Sequence, residues 1–324
     1  MNRYMRTALR RCLVALSACL PLAAAAAYPE RPITWVVPYP PGGTTDVVAR
    51  HIAEAMAKAM DVSIVVENKA GAGGQIAMTA VARAAPDGYT LLVSDASLAT
   101  APSLYRHMQV DPMKDLQAVA LFLTVPHVLV ANPQLQARDL EQLIALTRKQ
   151  PGKINFSSGG VGSPLHLAGE ALRLETGLQW THVPYKGAGP AILAAVSGEA
   201  QVATPSLPSA LPQIRADKLR ALAVTSPKRL AVLPDVPTVA ELGYPKATAF
   251  GWVGLHAPAG TPPQAMQKLQ DAALQALKDP KLIKDLQALG AEVDPQDSAR
   301  YGKLVADEAA RWKAVVQSAG IRQE

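Results

Sequence analysis

Two glycine-rich segments with flanking hydroxyl groups are the parts of this chain best suited to binding an anion. Residues 38–46 read Pro-Tyr-Pro-Pro-Gly-Gly-Thr-Thr-Asp, and residues 156–164 read Phe-Ser-Ser-Gly-Gly-Val-Gly-Ser-Pro. Glycine lets the backbone approach a ligand closely, and the free N–H groups at a helix start favour an anion. Serine and threonine hydroxyls add further donors. Both segments therefore offer neutral donors to a carboxylate.

The first segment, residues 38–46, combines residue types that suit the binding of a ligand. An ordinary turn followed by a helix cap is the alternative explanation of this pattern. Asp46 either takes a ligand amine or only stabilises the helix dipole. The predicted ligand-binding residues here are Tyr39, Gly42, Gly43, Thr44, Thr45 and Asp46.

The second segment is accompanied by a third, Val183–Gly187, which also lies between a strand and a helix. A flexible linker is the alternative for either loop alone, but their matched placement argues against it. Lys186 is the one cation nearby, and we expect it to point outward or to attract the ligand only weakly. The predicted ligand-binding residues in these two segments are Ser157, Ser158, Gly159, Gly162, Ser163, His166, Tyr185, Lys186 and Gly187.

The elements around these loops alternate between strands and helices, which predicts an α/β fold with parallel sheets and right-handed crossovers. At 324 residues the chain fits two domains. Extended passages near 120–130 and 248–257 predict a pair of hinge strands that cross between them. We assign residues 28–124 and 250–324 to one lobe and 125–249 to the other. Because ligands bind at the carboxyl edge of such sheets, the loops are expected to face each other across a cleft.

The N-terminus has the pattern of an export signal over residues 1–27. A basic stretch ends at Arg11, an apolar stretch follows, and alanines 23–27 precede Tyr28. A lipoprotein anchored at Cys19 is the alternative. Both cysteines of the chain lie in this segment, so no disulfide is expected after it. The predicted destination is the periplasm.

Composition and motifs argue against several other functions. The net charge of +6 includes four arginines of the export signal, and without them 28 basic and 26 acidic residues remain. This small excess of positive charge does not favour binding to nucleic acid. Ser163 is followed by Pro164 rather than completing a G-x-S-x-G hydrolase elbow. Gly71–Gly74 does not continue as a dinucleotide-binding motif, because Ile76 stands where glycine or alanine is required. His166 and Glu170 lack a third metal ligand. A structural or adhesive protein would not need two such loops.

Several short motifs, in order along essentially the whole chain after residue 27, resemble the Bug/TctC family of periplasmic solute-binding receptors. These motifs are Tyr28–Ile33, Pro38–Asp46, Glu67–Gly74, Asp87–Tyr89, Ser157–Leu167, Val183–Gly187 and Leu233–Thr238. The resemblance implies a two-lobed periplasmic binding protein of type II, with a Venus-flytrap closure. It also implies a ligand carboxylate held by the two loops. Many members of the family serve a membrane permease of the tripartite tricarboxylate type, which would then be the partner, and others have no linked permease.

One position departs from that family. Relatives often carry an acidic residue after the strand that ends at Ala203, where this chain has Thr204. We include Thr204 among the ligand-binding residues and expect a ligand amine to lack a counter-charge there.

The sequence thus predicts a monomeric receptor for a small carboxylate, either a di- or tricarboxylate or an amphipathic monocarboxylate, for uptake or sensing. We expect no catalysis, no cofactor and no metal. An exported hydrolase or another enzyme that uses the same cleft is the alternative function.

Overall fold

The computed structural model describes residues 28–321. The predicted export signal, the alternative anchor at Cys19 and residues 322–324 lie outside this range. Within it, no helix is long and apolar enough to cross a membrane.

A six-stranded mixed sheet forms the first lobe, with the order β11-β4-β10-β3-β1-β2. β1, β2 and β3 are parallel, whereas β10 runs antiparallel to both β3 and β4. The strands are β1 (Ile33–Val37), β2 (Ile64–Asn68), β3 (Thr90–Asp95), β4 (Leu116–Pro126), β10 (Phe250–Pro258) and β11 (Glu292–Gln296). The inner strands are almost wholly apolar because helices cover both faces of the sheet.

A five-stranded sheet forms the second lobe, with the order β7-β6-β8-β5-β9. β6 is parallel to β7 and β8, and β5 is antiparallel to β8 and β9. The strands are β5 (Val128–Ala131), β6 (Asn155–Ser158), β7 (Thr181–Pro184), β8 (Val202–Ala203) and β9 (Arg220–Val224). Its core packs Phe156 flat against Trp180, with ring centroids 4.6 Å apart.

Eleven helices longer than three residues are described between residues 28 and 321. They are α1 (Thr44–Met60), α2 (Gln75–Ala82), α3 (Ser97–Leu104), α4 (Pro112–Asp115), α5 (Leu140–Lys149), α6 (Pro164–Thr176), α7 (Ala188–Ser197), α8 (Leu207–Arg215), α9 (Pro263–Ala276), α10 (Pro280–Ala288) and α11 (Ser298–Ala319).

The predicted two-lobed α/β fold is confirmed, and the two extended passages pair with each other. β4 and β10 run antiparallel, with Pro126 opposite Phe250 at the end nearest the second sheet. A single residue, His127, separates Pro126 from the start of β5 in the second sheet. The two strands that connect the lobes therefore share one ladder.

The C-terminal helices pack on the first sheet, as their sequence pattern indicates. Tyr301 of α11 is fully buried beside Trp252, and Leu269 of α9 joins the core on the other face. Beyond what was predicted, the far end of α11 also reaches the second lobe, because Trp312 belongs to the same buried apolar cluster as Leu167 on α6. The last helix thus contacts both lobes.

The sequence predicts parallel sheets, and both sheets contain parallel strands, but β5 and β10 run antiparallel to their neighbours, so both sheets are mixed. Three helices, α3, α4 and α8, were not predicted. α4 has only four residues, and α3 and α8 each contain an internal proline, Pro102 or Pro212, which lowers helix propensity and masked the pattern. β11 was also missed because its sequence, Glu-Val-Asp-Pro-Gln, is mostly polar and belongs to a sheet edge.

Candidate ligand-binding cleft

A cleft of about 590 Å³ opens between the two sheets and is lined by residues of both lobes. Many of its walls are apolar, including Trp252, Val253 and Leu165. Seven of the sixteen predicted ligand-binding residues line it: Tyr39, Gly43, Thr44, Thr45, Gly159, Ser163 and Gly187. A smaller neighbouring cavity of about 230 Å³ is lined in part by Tyr39, Gly162 and Ser163.

The first loop is held by Asp46, which is buried and does not line the cleft. Its carboxylate accepts the Gly42 N–H at 2.9 Å and the Asn68 side-chain amide at 2.8 Å. Arg50 donates to the same carboxylate at 3.1 Å. Burial opposes ionisation, but these hydrogen bonds outweigh it and lower the pKa of Asp46. Asp46 therefore fixes the shape of the loop, and Gly42, whose N–H it uses, also stays outside the cleft lining.

Helix α1 begins at the cleft without a side-chain cap. Its N-cap residue is Gly43, and the first N–H to bond within the helix is that of Val47, which donates to the Gly43 carbonyl at 2.9 Å. The N–H groups of Thr44 and Thr45 come before that bond and have no partner within the helix. Both residues line the cleft. The positive end of this helix dipole is therefore turned toward the space between the lobes.

In the second loop, Ser157, Ser158 and Thr204 hold the backbone instead of lining the cleft. The Ser157 hydroxyl donates to the Ala191 carbonyl at 2.9 Å. The Thr204 hydroxyl donates to the Leu165 carbonyl at 2.6 Å. The Ser158 hydroxyl is 2.7 Å from Nε2 of His182. Short hydroxyl side chains bond readily to nearby backbone, so these three form a support beneath the loop.

His166 belongs to the same support. The Gly162 N–H donates to Nδ1 of His166 at 3.0 Å, so the remaining ring proton is on Nε2. Burial is the main cause that lowers the pKa of His166 to about 4. Glu170, one turn away, forms an ion pair with Arg173 through Oε2 at 2.7 Å, and its Oε1 is 3.9 Å from Nε2 of His166. Among residues 28–321, no group of three or more side chains with metal-binding chemistry is present.

Helix α7 is the second helix that begins at the cleft without a side-chain cap. Its N-cap is Gly187, whose φ of 109° suits glycine. A Cβ on Gly159 would lie 3.2 Å from the Gly187 carbonyl carbon, so these two loops approach each other closely. Tyr185 and Lys186 do not line the cleft, and Lys186 is exposed. The third segment thus contributes backbone to the cleft, through Gly187 and Ala188.

Several cleft residues were missed by the sequence analysis, notably Asp95, His127 and Ser206. Asp95 ends β3, so the rule that placed the glycine loops at the carboxyl edge of the sheet also applies to it. It lacks a neighbouring glycine, so the glycine-loop pattern does not include it. His127 is the single residue between β4 and β5, and only the path of the chain between the lobes brings it to the cleft.

Two mixed α/β lobes joined by paired strands, with a cleft between them, define a two-lobed binding protein. The family model of the tripartite tricarboxylate transporter family receptor, TctC, matches residues 48–321. The chain belongs to this family, whose receptors are periplasmic.

Similar proteins agree with this membership. Protein BugT of Bordetella pertussis is 39% identical over 297 residues, covering 91% of each chain. Rpa4515 of R. palustris, solved with adipate, is 33% identical with a TM-score of 0.80, covering 91% of this chain and 100% of its own. MatC from Rhodopseudomonas palustris, solved with malate, is 36% identical with a TM-score of 0.76, covering 89% and 100%.

Proposed function

We propose that this chain is a periplasmic receptor that captures a small carboxylate between its two lobes. One observation carries the proposal: helices α1 and α7, one from each lobe, both begin at the same cleft with glycine N-caps and no side-chain cap. Unpaired N–H groups and the dipole of each helix favour an anion at that place. The relatives solved with adipate and malate support the same class of ligand.

Neutral donors suit this task because no lysine or arginine is among the described residues that line the cleft. A buried cation would have to lose its hydration each time the cleft closed, and that cost offsets much of its attraction for an anion. Backbone N–H groups keep their orientation with or without ligand. Affinity then depends on how closely the loops approach the carboxylate.

Catalysis is not part of the proposal, although Ser206, His127 and Asp95 line the same cleft. A hydrolase would need a nucleophile, a base and an orienting group bonded in series. Here the Ser206 hydroxyl is 3.1 Å from that of Ser209, and Asp95 bonds Ser97. Nδ1 of His127 has no partner within residues 28–321. These three residues therefore do not form a catalytic relay.

The remaining features of the proposal concern the whole protein. We keep the lobe boundaries at 124/125 and 249/250, which fall at or near the end of β4 and the start of β10. Residues 1–27 act as the export signal, and the mature protein is a monomer. Its partner is a membrane permease of the tripartite tricarboxylate type. Mass spectrometry of the exported protein tests the signal: a start at or near Tyr28 is expected, and lipid on Cys19 would contradict it.

A thermal-shift screen of the purified protein against mono-, di- and tricarboxylic acids tests the ligand class. A ligand that binds only the native state raises the unfolding temperature. At a free ligand concentration of 100 times its Kd, it adds about 2.7 kcal/mol to the free energy of unfolding. We expect at least one carboxylic acid to raise it and the matched neutral amide or alcohol to raise it less. If no acid in the panel shifts unfolding, the proposed function fails.

A further inference from the structure

The far end of helix α11, residues 308–319, connects the two lobes in addition to the hinge strands. The near end of this helix belongs to the first lobe, where Tyr301 and Val305 are buried in the core. The far end packs against both α3 of the first lobe and α6 of the second. A single helix therefore spans both lobes, alongside the paired strands β4 and β10.

The contact at the far end of α11 is an apolar cluster built from both lobes. Trp312 is only 3% exposed, and Leu167 on α6 is fully buried. The other buried members are Leu104, Val316 and Ile321 from the first lobe, and Ala168, Ala171 and Ala249 from the second. Separating the lobes here would expose these side chains to water, which is unfavourable in proportion to the apolar area uncovered. The cluster therefore holds α11 against α6.

Arg311 adds a polar connection beside this cluster. Its Nη1 donates to the Thr248 carbonyl, and its Nη2 donates to the Glu308 carboxylate at 2.9 Å. Nε1 of Trp312 donates to the same carboxylate at 2.8 Å, and the Arg311 guanidinium lies over the Trp312 ring, 4.1 Å from its centroid. Thr248 is in the second lobe, two residues before β10 begins. Because hydrogen bonds depend on direction, they fix the position of α11 where apolar contact alone would let it slide.

The helix that α11 contacts, α6, follows directly from the second binding loop. Its N-cap is Ser163, which lines the cleft together with Leu165. Leu167, in the first turn of α6, belongs to the cluster that contains Trp312. Leu104, another member of the cluster, lines the smaller cavity beside the cleft. The contact between α11 and α6 therefore fixes where the second loop stands relative to the first lobe.

We propose that Trp312 and Arg311 are positioning residues, which hold the two lobes at the angle that ligand capture needs without touching the ligand. This inference rests on the proposed carboxylate function. With the far end of α11 in place, the starts of α1 and α7 face the same cleft before a ligand arrives, so binding does not have to bring the lobes together. Without this contact, the free protein adopts other lobe angles, and the apparent affinity falls with the fraction of molecules that remain competent to bind.

Two measurements on Trp312→Ala test the inference. Without ligand, small-angle X-ray scattering should give a larger radius of gyration than for wild type, because the lobes move apart. Titration calorimetry uses malate, adipate and citrate as probes. Binding of the probe that wild type binds most tightly should weaken by about tenfold or more, which corresponds to about one competent molecule in ten. A saturating concentration of that probe should restore the wild-type radius of gyration.

Three further variants separate the parts of the contact. Trp312→Phe keeps an aromatic ring in the cluster and should retain most of the affinity. Arg311→Met keeps the length of the side chain but cannot donate to the Thr248 carbonyl, and it should weaken binding by roughly fivefold, as expected for one hydrogen bond. Val316→Ala is a smaller change in the same cluster. It should shift the radius of gyration and the affinity in the same direction by less, and it provides the test if Trp312→Ala does not fold.

Leu269→Ala is the matched control, since Leu269 is fully buried on α9 in the core of the first sheet. Leu269→Ala and Trp312→Ala both remove buried apolar volume, so both should lower the unfolding temperature. Only Trp312→Ala should change the radius of gyration of the free protein and the affinity for the probe.

Two results would overturn the inference while leaving the proposed function intact. One is a Trp312→Ala protein with the wild-type radius of gyration and affinity, with circular dichroism showing the fold preserved. The other is a Leu269→Ala protein that binds as weakly as Trp312→Ala, because affinity would then follow stability alone. If wild type binds no carboxylate, the proposed function fails, and scattering by the ligand-free variants still decides whether α11 sets the angle between the lobes.

Discussion

The imidazole of His166 lies flat against that of His182 beneath the glycine loop, with ring centroids 3.8 Å apart and planes inclined by 13°. His166 accepts the Gly162 N–H, and His182 is bonded to Ser158. Glu170 and Arg173 are the charged groups next to the pair. Two protonated rings could not stack at this distance without strong repulsion. The pair therefore supports the loop only in its neutral form.

We expect stability to fall as the pH drops from 6.5 to 4. Burial lowers the pKa of His127, His166 and His182 to about 4, and that of His256 to about 3. Above pH 6.5 neither state binds these protons. Below it, the unfolded chain takes them up and the folded protein does not, so unfolding becomes easier. At pH 4, a fully buried ring with this shift lowers the free energy of unfolding by about 3 kcal/mol.

Thermal unfolding at several pH values measures this effect. His127→Leu should flatten the pH dependence, because it removes one titrating ring whose Nδ1 makes no hydrogen bond in the described structure. His51→Leu is the control, since His51 is exposed on α1. A stability that stays constant between pH 6.5 and 4.5 would contradict the prediction.

His166 is expected to position the second loop through one hydrogen bond. In His166→Phe, the Gly162 N–H loses its acceptor, and a lost hydrogen bond of this kind is worth about 1 kcal/mol, or roughly fivefold in affinity. His166→Asn places an oxygen near the former Nδ1 and should retain most of the binding. Calorimetry with the tightest acid of the screen measures both. Equal affinity of His166→Phe and wild type would show that the loop holds its shape without this bond.

Much of the fold could be predicted because the apolar runs and helix caps are local signals. The apolar run Ile33–Val37 predicts a strand, and the pattern of Pro263–Ala276 predicts a helix; β1 and α9 have these same bounds in the structure. The direction of a strand is a different matter. Whether β10 runs parallel or antiparallel to β3 depends on how the chain returns from the second lobe, and nothing in residues 250–258 themselves encodes it.

The cleft was predictable at the level of loops and not of side chains. Glycine after a strand marks the edge of the sheet, which is why Gly43, Gly159 and Gly187 line the cleft as expected. Whether a polar side chain points into the cleft or back to the loop depends on its bonding partners. Asp46 turns to Gly42 and Arg50, and Ser157 turns to Ala191. These partners become neighbours only in the folded chain.

Gly43→Val is expected to abolish binding without unfolding the protein. Gly43 has a φ of −74°, which any residue adopts, and a Cβ there would meet only the Pro40 carbonyl oxygen, at 3.9 Å. The two valine methyl groups would occupy the space beside the N–H groups of α1. We expect affinity to fall by about 100-fold or more, while the unfolding temperature changes by only a few degrees. Gly42→Val provides the contrast, since its φ of 89° strains a side chain and should destabilise the loop.

Lys186→Ala should cost little affinity, because the ligand is held by backbone donors rather than by this charge. Lys186 is exposed and does not line the cleft, whereas Gly187 beside it does. An exposed cation acts on an anion mainly through long-range attraction, which salt screens over about 8 Å at physiological ionic strength. We expect a change of threefold or less at 150 mM salt, and a somewhat larger one at low salt through slower association. Titration calorimetry of Lys186→Ala and Gly43→Val, done side by side, distinguishes binding by this charge from binding by backbone donors. If Lys186→Ala loses binding and Gly43→Val keeps it, charge holds the ligand and the helix starts do not.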